Sequence, residues 1–325
     1  MKTSEILARF PQLSALVIGD ICLDRWCTYD PATAEASRET GLSRIGVVKT
    51  ETTPGAGGTV ANNLAALGVG RVSVLGVAGS DGFALELKNA LKIRRIEANL
   101  LVEAPDAQTF TYTKLINAKT GEEDLPRVDF INTRSMSADV EQQILNRLQA
   151  HVAAFDVVLI ADQAETETGG VVTARVREML GDLARRFQRK LFWADSRLRI
   201  EHFRNMIIKP NHIEGEAACK RLFGKVDYPG LRRLVGTKAI IVTHGGEGAE
   251  VWDEHGSTWV PTKKVESPVD ICGAGDSFSA GAAMAMAITG SAVDSARVGN
   301  LVASVTIMKA GTGTATPEEV LAADK

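Results

Sequence analysis

The stretch that decides the fold is Asp270-Ile271-Cys272-Gly273-Ala274-Gly275-Asp276-Ser277-Phe278, a glycine turn that leads directly into a helix. The predicted helix continues to about Thr289 and consists mainly of Ala, Gly, Met and Ser, so it can pack closely against its neighbours. The first N–H groups of a helix have no partner within the helix, and the helix dipole adds partial positive charge there. These residues therefore predict a binding site for an anion such as a phosphoryl group.

Asp276 stands beside this predicted anion site, where its carboxylate could accept a proton from an attacking hydroxyl. A positively polarised cradle with a base beside it is what phosphoryl transfer needs. The alternative is purely structural, because Gly-Ala-Gly before a helix is often only a turn and Asp is common at helix starts. The residues of this stretch alone leave both interpretations open.

The composition of the chain favours a large folded core. Of its 325 residues 45% are hydrophobic, which indicates one large domain or two modest ones. Its 37 basic and 40 acidic residues nearly cancel, so we expect no nucleic acid as partner. No apolar run approaches the length of about 18 residues that suggests a membrane span. The first residues lack a long apolar segment, so we expect no secretion signal.

The cysteines are Cys22, Cys27, Cys219 and Cys272, and their spacing matches no zinc site. We therefore expect reduced thiols in a cytoplasmic protein. Cys272 lies inside the glycine stretch, and no histidine is near it in the sequence. It is interpreted as a small filler residue rather than a nucleophile.

Strands and helices alternate along most of the chain. Short apolar runs predict buried strands at Leu13 to Gly19, Arg71 to Val77, Asp156 to Ala161, Lys190 to Ala194, Met206 to Lys209 and Lys238 to Thr243. Helices are predicted at Thr59 to Leu67, Phe83 to Leu91, Ala138 to Ala154 and Val171 to Phe187, and a capped helix start at Thr316. This alternation predicts an α/β fold with a mostly parallel sheet and helices on both faces.

Two regions break this alternation and predict a second, smaller sheet. Residues from about 24 to 53 and from about 108 to 131 hold strand-like pieces without helices between them, most clearly at Ile45 to Lys49 and Thr109 to Leu115. A small antiparallel sheet above the strand ends would form a lid over a ligand. The alternative is that these pieces extend the main sheet at its edge.

The loops after the first two strand-like segments carry candidate ligand-binding residues. Asp20 and Asp24 follow the first strand, and the carboxyl ends of parallel strands are where such sheets bind ligands. An exposed Asp can pair with two sugar hydroxyls, which we favour for Asp24, whereas Asp20 is interpreted as a turn residue. The glycines of residues 55–58 would let a polar ligand approach the backbone closely. Neither a P-loop nor a dinucleotide-binding G-x-G-x-x-G is present.

Two later loops carry residues suited to metal and phosphate. Asn211 and Glu214 follow a strand and could hold a hydrated magnesium ion, although simple helix capping explains Asn211 as well. Residues 243–248 (Thr-His-Gly-Gly-Glu-Gly) end another strand, where backbone amides and the Thr243 hydroxyl could contact nucleotide phosphates. The alternative there is a glycine hairpin.

Taken together, these motifs resemble the ribokinase-like family of sugar kinases, also called the PfkB carbohydrate kinase family. The resemblance runs from about Leu16 to Thr316, and residues 270–278 and 54–68 are its most specific parts. It implies one ribokinase-like domain over residues 1–325. The implied fold is a three-layer α/β sandwich with a central, mostly parallel sheet and a small β-sheet lid.

The resemblance implies ATP-dependent transfer of the γ-phosphate to an alcohol group of a sugar, with Mg²⁺ as cofactor and K⁺ as a candidate monovalent cation. It implies Asp276 as the catalytic base, beside an anion hole formed by the amides of Gly273, Ala274 and Gly275. The residues implied at the nucleotide and magnesium are Asn211, Glu214, Thr243, Gly245, Gly248 and Asn300. Those implied at the sugar are Asp24, Gly55, Gly57 and Thr59. Those implied at the monovalent cation are Asp270, Cys272, Thr306 and Gly311.

Within the family the likeness is greatest to heptose-phosphate kinases, on Val17 to Arg25 and Arg127 to Phe130. The departures lie mostly around the sugar. They are Ala56 in place of a second Gly, Thr59 where Asn often stands, residues 163–166 without the expected aromatic and Lys, and Arg197 where Lys is usual. The expected partner is a small sugar or sugar phosphate, with neither nucleic acid nor membrane. Lid sheets in such folds can pair, so a homodimer is also expected.

Two other functions stay open on the sequence. A non-catalytic sugar or nucleotide sensor would keep the same fold, but the intact Asp276 and the glycines before it speak against this alternative. A nucleoside kinase would need contacts to flat rings. Only Trp26 and Tyr29 lie near the presumed acceptor loops, which favours a polyol acceptor.

Overall fold

The computed structural model describes residues 1–163 and 170–324, so the sequence departure at residues 164–166 lies outside the described residues. In these ranges the strands are β1 (Ser14–Gly19), β2 (Ile21–Tyr29), β3 (Glu35–Ala36), β4 (Ser43–Arg44), β5 (Val47–Ala56), β6 (Arg71–Leu75), β7 (Val77–Gly79), β8 (Val102–Ala104), β9 (Thr111–Asn117), β10 (Val128–Phe130), β11 (Val157–Asp162), β12 (Leu191–Ser196), β13 (Ile207–Ile208), β14 (Ile240–Thr243), β15 (Gly248–Asp253) and β16 (Gly256–Pro261). The helices are α1 (Thr3–Leu7), α2 (Gly57–Ala66), α3 (Gly82–Ile93), α4 (Ala138–His151), α5 (Ala174–Arg186), α6 (His212–Phe223), α7 (Tyr228–Val235), α8 (Ala274–Thr289), α9 (Ala292–Thr306) and α10 (Pro317–Ala323).

The main sheet has the strand order β16-β15-β14-β13-β12-β11-β1-β6 within the described ranges. Neighbouring strands from β6 to β14 are parallel, and β15 and β16 add an antiparallel edge. All of the strands predicted from apolar runs lie in this sheet. Strands β1 and β11 are buried at nearly every position, which explains why their sequences are continuously apolar instead of alternating.

Helices cover both faces of the main sheet and give two hydrophobic cores. Val17 of β1 packs into a core with α2, α8 and α9, whereas its neighbours Leu16 and Ile18 pack into a core with α4, α5 and α7. Successive side chains of a strand point to opposite faces, so one strand supplies both cores. The predicted three-layer α/β sandwich is therefore confirmed.

A second sheet has four strands in the order β10-β9-β2-β5, all within the described part of the chain. It is separate from the main sheet, so the alternative of an extended main sheet is wrong. The sheet is mixed and not antiparallel as predicted, because β2 pairs in parallel with β9. The predicted bounds need correction, because β2 begins at Ile21 and β5 continues to Ala56. Asp24 consequently lies within a strand and not in a loop. Only Asp20 separates β2 from β1.

The helix predicted from its small residues is α8, and its packing matches the prediction. Residues 277–286 are all buried. A Cβ on Gly281 would lie 2.6 Å from Cγ2 of Val302, so α8 and α9 approach more closely there than any larger residue allows. The predicted cap of α10 is also present, since Thr316 and Glu319 form a reciprocal capping box. No described helix has the length and apolar character needed to cross a bilayer.

Candidate active site

A cavity of about 150 Å³ lies between the small sheet and the carboxyl ends of the main-sheet strands. The lining residues from or near the small sheet are Asp24, Arg25, Trp26, Tyr112, Lys114 and Arg127. Ala56 lines the cavity from the end of β5, which also belongs to the small sheet. The lining residues from the main body are Thr59, Gln163, Arg197, Cys272, Gly273, Asp276 and Thr312. The predicted base and the predicted sugar-binding aspartate, 252 positions apart in the sequence, thus line one cavity.

The glycine turn before α8 presents free amide groups beside this cavity. Gly273 has a left-handed backbone (φ 77°), and a Cβ there would lie 3.1 Å from Cγ2 of Thr59. Among the described residues the N–H groups of Gly273 and Gly275 have no acceptor. The N–H of Ala274, in contrast, donates to the carbonyl of Ile271 at 3.2 Å. The predicted anion hole therefore needs a correction, because the turn itself occupies the Ala274 amide.

Asp276 lies in the first turn of α8 and lines the cavity. Its Oδ1 accepts a hydrogen bond of 2.7 Å from Nε2 of Gln163. Burial raises the pKa of Asp276 to about 7, and the nearby Asp195 adds to this rise while Lys209 opposes it. A carboxylate that titrates near neutral pH is well matched to general-base chemistry.

A buried ion pair lies next to the turn. Nζ of Lys209 is 2.9 Å from Oδ2 of Asp195, and the lysine side chain is only 3% exposed. Burial acts to lower the pKa of Lys209, but Asp195 and Glu214 together raise it above its ordinary value. A Cβ on Gly275 would be 3.6 Å from Nζ, so a permanent positive charge lies directly beside the predicted anion hole.

Asp24 faces the cavity from the small sheet. A Cβ on Gly55 would lie 2.2 Å from Oδ1 of Asp24, so this carboxylate rests against backbone that only glycine can provide. Burial raises the pKa of Asp24 to about 7, while Lys114 and Arg127 act to lower it. Thr59 is buried at the cavity wall, and its hydroxyl donates to the Pro54 carbonyl at 3.4 Å.

Gly57 and Asp20 differ from their predicted roles. Gly57 does not line the cavity; a Cβ there would lie 2.9 Å from Ile21 and 3.1 Å from Ala161, so the glycine serves close packing. Asp20 is more than a turn residue, because it is buried and accepts N–H bonds from Gln163 at 2.8 Å and from Val171 at 2.9 Å. It thus ties Gln163 and Val171 to the single residue between β1 and β2.

The loop predicted to organise magnesium forms a capping box at the start of α6. Oδ1 of Asn211 accepts from the Glu214 N–H at 2.9 Å, and Oε2 of Glu214 accepts from the Asn211 N–H at 2.8 Å. The capping alternative is therefore correct for the local geometry. Oε1 of Glu214 has no donor among the described residues, and burial raises the pKa of this carboxyl. One available carboxylate oxygen fits Mg²⁺, which keeps several waters.

The loop after β14 lies beside the start of α6. The Thr243 N–H donates to the Pro210 carbonyl at 3.0 Å, which brings Thr243 and Gly245 next to the Asn211 loop. The glycine hairpin alternative is also correct, since β15 returns antiparallel to β14. A Cβ on Gly248 would lie 2.3 Å from the Val260 carbonyl oxygen, so Gly248 is required where β15 pairs with β16.

Asn300 and the predicted cation residues all have structural partners. Nδ2 of Asn300 donates to the carbonyl of Val260 at 3.0 Å, so the buried amide holds the end of β16. The Asp270 carboxylate accepts from the N–H of Cys272 at 2.8 Å and of Gly311 at 3.1 Å, which joins the turns flanking α8 and α9. The Thr306 hydroxyl bonds that of Ser277.

Comparison with known proteins places this arrangement in a family. The model of the pfkB family carbohydrate kinase matches residues 14–319. The chain belongs to the PfkB family. It is 30% identical over 329 aligned positions to the Bifunctional protein HldE of Trichlorobacter lovleyi, an alignment that covers 98% of this chain and 64% of that relative. The chain thus spans less than two thirds of the length of these curated relatives.

Solved structures show the same fold. Phosphofructokinase-2 from Escherichia coli in complex with potassium has a TM-score of 0.72 at 19% identity, covering 96% of this chain and 98% of that one. Ribokinase from Arabidopsis thaliana complexed with ribose and ATP has a TM-score of 0.65 at 17% identity, covering 96% and 99%. The predicted ribokinase-like fold is confirmed, and a sugar-kinase phosphotransfer reaction is characteristic of the PfkB family.

Several side chains in or near the cavity were not predicted as site residues from the sequence. In the sequence Lys209 is only the end of a predicted strand, and Gln163 and Arg197 are only departures from the expected pattern. Asp195 lies near the carboxyl end of β12, directly after the apolar residues that predict this strand. A charged residue at the carboxyl end of a buried strand was thus the available signal for Lys209 and Asp195.

Proposed function

We propose that this chain is an ATP-dependent kinase that transfers the γ-phosphate to a hydroxyl of a sugar phosphate, with Asp276 as the base. The observation that carries the proposal is the shared cavity. Asp276, Gly273 of the glycine turn and Asp24 all border it. An acceptor held by Asp24 would place one hydroxyl within reach of Asp276.

Each residue at the turn has a defined task in this reaction. The carboxylate of Asp276 takes the proton of the attacking hydroxyl, and the N–H groups of Gly273 and Gly275 stabilise the phosphoryl oxygens. Lys209 adds its positive charge from the protein interior. Mg²⁺, held by Glu214 with Asn211 orienting it, would neutralise negative charge on the phosphates. The small sheet excludes water as a lid, which limits wasteful hydrolysis of ATP.

The nucleotide and the monovalent cation are assigned to neighbouring loops. We place the ATP phosphates beside Thr243 and Gly245, because that loop lies against the Asn211 loop. We place K⁺ beside Asp270, whose carboxylate joins the turns around Cys272 and Gly311. The Asp270 carboxylate would supply oxygen ligands to such a cation.

The charge of the cavity wall favours an acceptor that already carries a phosphate. The basic lining residues are Arg25, Lys114, Arg127 and Arg197, whereas the acidic ones are Asp24 and Asp276. Arg127 pairs with Asp129 at 2.7 Å and Lys114 with Glu123 at 3.4 Å, so these cations are held in place by carboxylates. The similarity to HldE proteins leads us to propose a heptose phosphate.

We expect Arg127→Met to raise KM for a heptose phosphate by about 10- to 100-fold, because a charge-assisted hydrogen bond contributes about 1.5–3 kcal/mol. The kcat value and the KM for ATP should change little. Steady-state kinetics measures each of these. Arg189→Met, at an exposed position, is the matched control. An equal loss with an unphosphorylated sugar would contradict phosphate recognition by Arg127.

An assay of ADP formation across sugars, sugar phosphates and nucleosides tests the proposed function. A kinase releases ADP in proportion to one acceptor class, and we expect sugar phosphates to be that class. A sensor of the same fold would instead show a thermal shift with ligand and no ADP release. A preference for nucleosides would contradict the proposed acceptor.

The pKa of Asp276 predicts how activity depends on pH. The carboxylate must be ionised to accept a proton, and its pKa is raised to about 7. We therefore expect kcat/KM to fall about tenfold for each pH unit below that value, since this parameter reports the free enzyme. A pH–rate profile measures this acid limb. A rate that stays flat down to about pH 5 would contradict an essential base with a raised pKa.

We also propose that the chain forms a homodimer through the small sheet. The large apolar side chains exposed on this sheet and its connecting segment are Leu42, Ile45, Val47, Val48 and Val128. Clusters of exposed apolar residues mark interaction surfaces. Sedimentation should give a dimer for the wild type and a monomer for Val48→Lys. A wild-type monomer at micromolar concentration would contradict the proposal.

A further inference from the structure

Gln163 connects the predicted base to the protein interior. It follows β11 directly, is 9% exposed, and lines the cavity beside Asp276. Its Nε2 donates to Oδ1 of Asp276 at 2.7 Å, and its Oε1 accepts from Nη2 of Arg197 at 3.2 Å. Both ends of this amide are therefore engaged by groups that border the cavity.

The partners of Gln163 determine which way its amide faces. An arginine can only donate hydrogen bonds, so Arg197 must face the amide oxygen. The NH₂ group is then the end that meets Asp276, and an ionised carboxylate can only accept. The bond from Gln163 consequently favours the charged form of Asp276.

The main chain of Gln163 is held as firmly as its side chain. Its N–H donates to Oδ2 of Asp20 at 2.8 Å, and the Asp20 carboxylate also accepts from the Val171 N–H at 2.9 Å. Asp20 is only 2% exposed, so these bonds are shielded from water. The position from which the Gln163 side chain reaches Asp276 is thereby set by a buried anchor.

We propose that Gln163 is a positioning residue that orients Asp276 for proton abstraction, an inference that rests on the proposed kinase function. Oδ1 of Asp276 is bound to Gln163, while Oδ2 accepts no hydrogen bond from any described residue. Fixing one oxygen stops rotation of the carboxylate and directs the other oxygen at the acceptor hydroxyl. Correct orientation of a reacting group is a major source of catalytic rate.

The surroundings of Asp276 decide how its titration responds to changes at Gln163. The titratable groups that act on or face it are Asp195, Lys209, Arg197, Cys272 and, on the small sheet, Asp24. A substitution at Gln163 removes none of these groups, and of the five only Arg197 loses a hydrogen bond to the Gln163 side chain. Loss of the donor raises the pKa of Asp276, because that hydrogen bond favours the ionised carboxylate. The acid limb of kcat/KM then moves to higher pH.

The test compares Gln163→Leu with the wild type and with Gln143→Leu, the same substitution on the exposed surface of α4. We expect Gln163→Leu to lower kcat by about 10- to 100-fold, to leave KM for ATP unchanged, and to shift the acid limb upward. Gln143→Leu should match the wild type in all three. A purely structural role for Gln163 would change thermal stability without moving the acid limb.

A second variant, Gln163→Glu, keeps the length of the side chain. It provides the same test if Gln163→Leu folds poorly. Its carboxylate can accept from Arg197 but cannot donate to an ionised Asp276, and it adds a like charge. We expect the acid limb to shift further upward than in Gln163→Leu. Wild-type kcat with an unmoved acid limb in either variant would overturn the proposal. Absence of ADP formation by the wild type would instead refute the kinase function.

Discussion

Asp276→Asn is expected to lower kcat by about 10²–10⁴-fold, the range that general-base catalysis contributes. Asparagine has the size of aspartate, and its oxygen can still accept the hydrogen bond from Gln163. The substitution therefore removes the basic group and leaves the geometry of the turn intact. Binding of ATP should stay close to wild type, because the amides of Gly273 and Gly275 are unchanged.

Kinetics and a separate nucleotide-binding titration distinguish these effects for Asp276→Asn. Asp182→Asn is a suitable control, since Asp182 is an exposed aspartate whose partner Arg185 is also on the surface. The control should retain wild-type kcat. An unchanged kcat in Asp276→Asn would remove Asp276 from the role of base. A large loss of ATP affinity would show that the carboxylate acts mainly in binding.

Lys209→Met is expected to lower the free energy of unfolding by about 3–5 kcal/mol. Lys209 and Asp195 form an ion pair whose lysine is almost fully buried. Removing only the lysine leaves the Asp195 carboxylate without its positive partner in a poorly hydrated site. Methionine fills most of the volume of the lysine side chain. The loss of stability therefore comes from the unpaired charge of Asp195 and not from a cavity. Urea unfolding followed by circular dichroism measures it.

Two comparisons show whether burial causes the effect of Lys209→Met. Lys220 and Glu216 form an exposed pair on α6, so Lys220→Met should cost less than about 1 kcal/mol. Adding Asp195→Leu to Lys209→Met should recover part of the stability, because it removes the stranded charge. A loss below about 1 kcal/mol in Lys209→Met would contradict a buried ion pair at this position.

The large elements of the fold could be predicted because their signals are local. A continuous apolar run such as that of β11 has one simple explanation, a strand covered on both faces. The small residues of α8 predicted its close packing in the same way. The bounds of β2 were harder to predict, because Asp24 and Arg25 are polar residues on a strand that faces a cavity. Polar positions of that kind resemble a loop in the sequence.

The partners around Asp276 could not be predicted, because they come from distant parts of the chain. Gln163 follows β11, Asp195 lies near the end of β12, and Lys209 follows β13. Only the assembled sheet brings the three residues together. For Gly57 and Gly248 the sequence suggested a role that the structure explains differently. Their sequence neighbourhoods suggested ligand contacts, but neighbouring backbone and side chains leave no room for a Cβ at either position.

Phosphorus NMR of the protein with ATP, Mg²⁺ and a heptose phosphate is the decisive measurement, because it shows where the γ-phosphate goes. We expect a new phosphoester signal on the acceptor, which the wild type forms at the rate of ADP release. Asp276→Asn should produce that signal at least about a hundredfold more slowly. Release of inorganic phosphate alone, or equal acceptor phosphorylation by both proteins, would contradict the account.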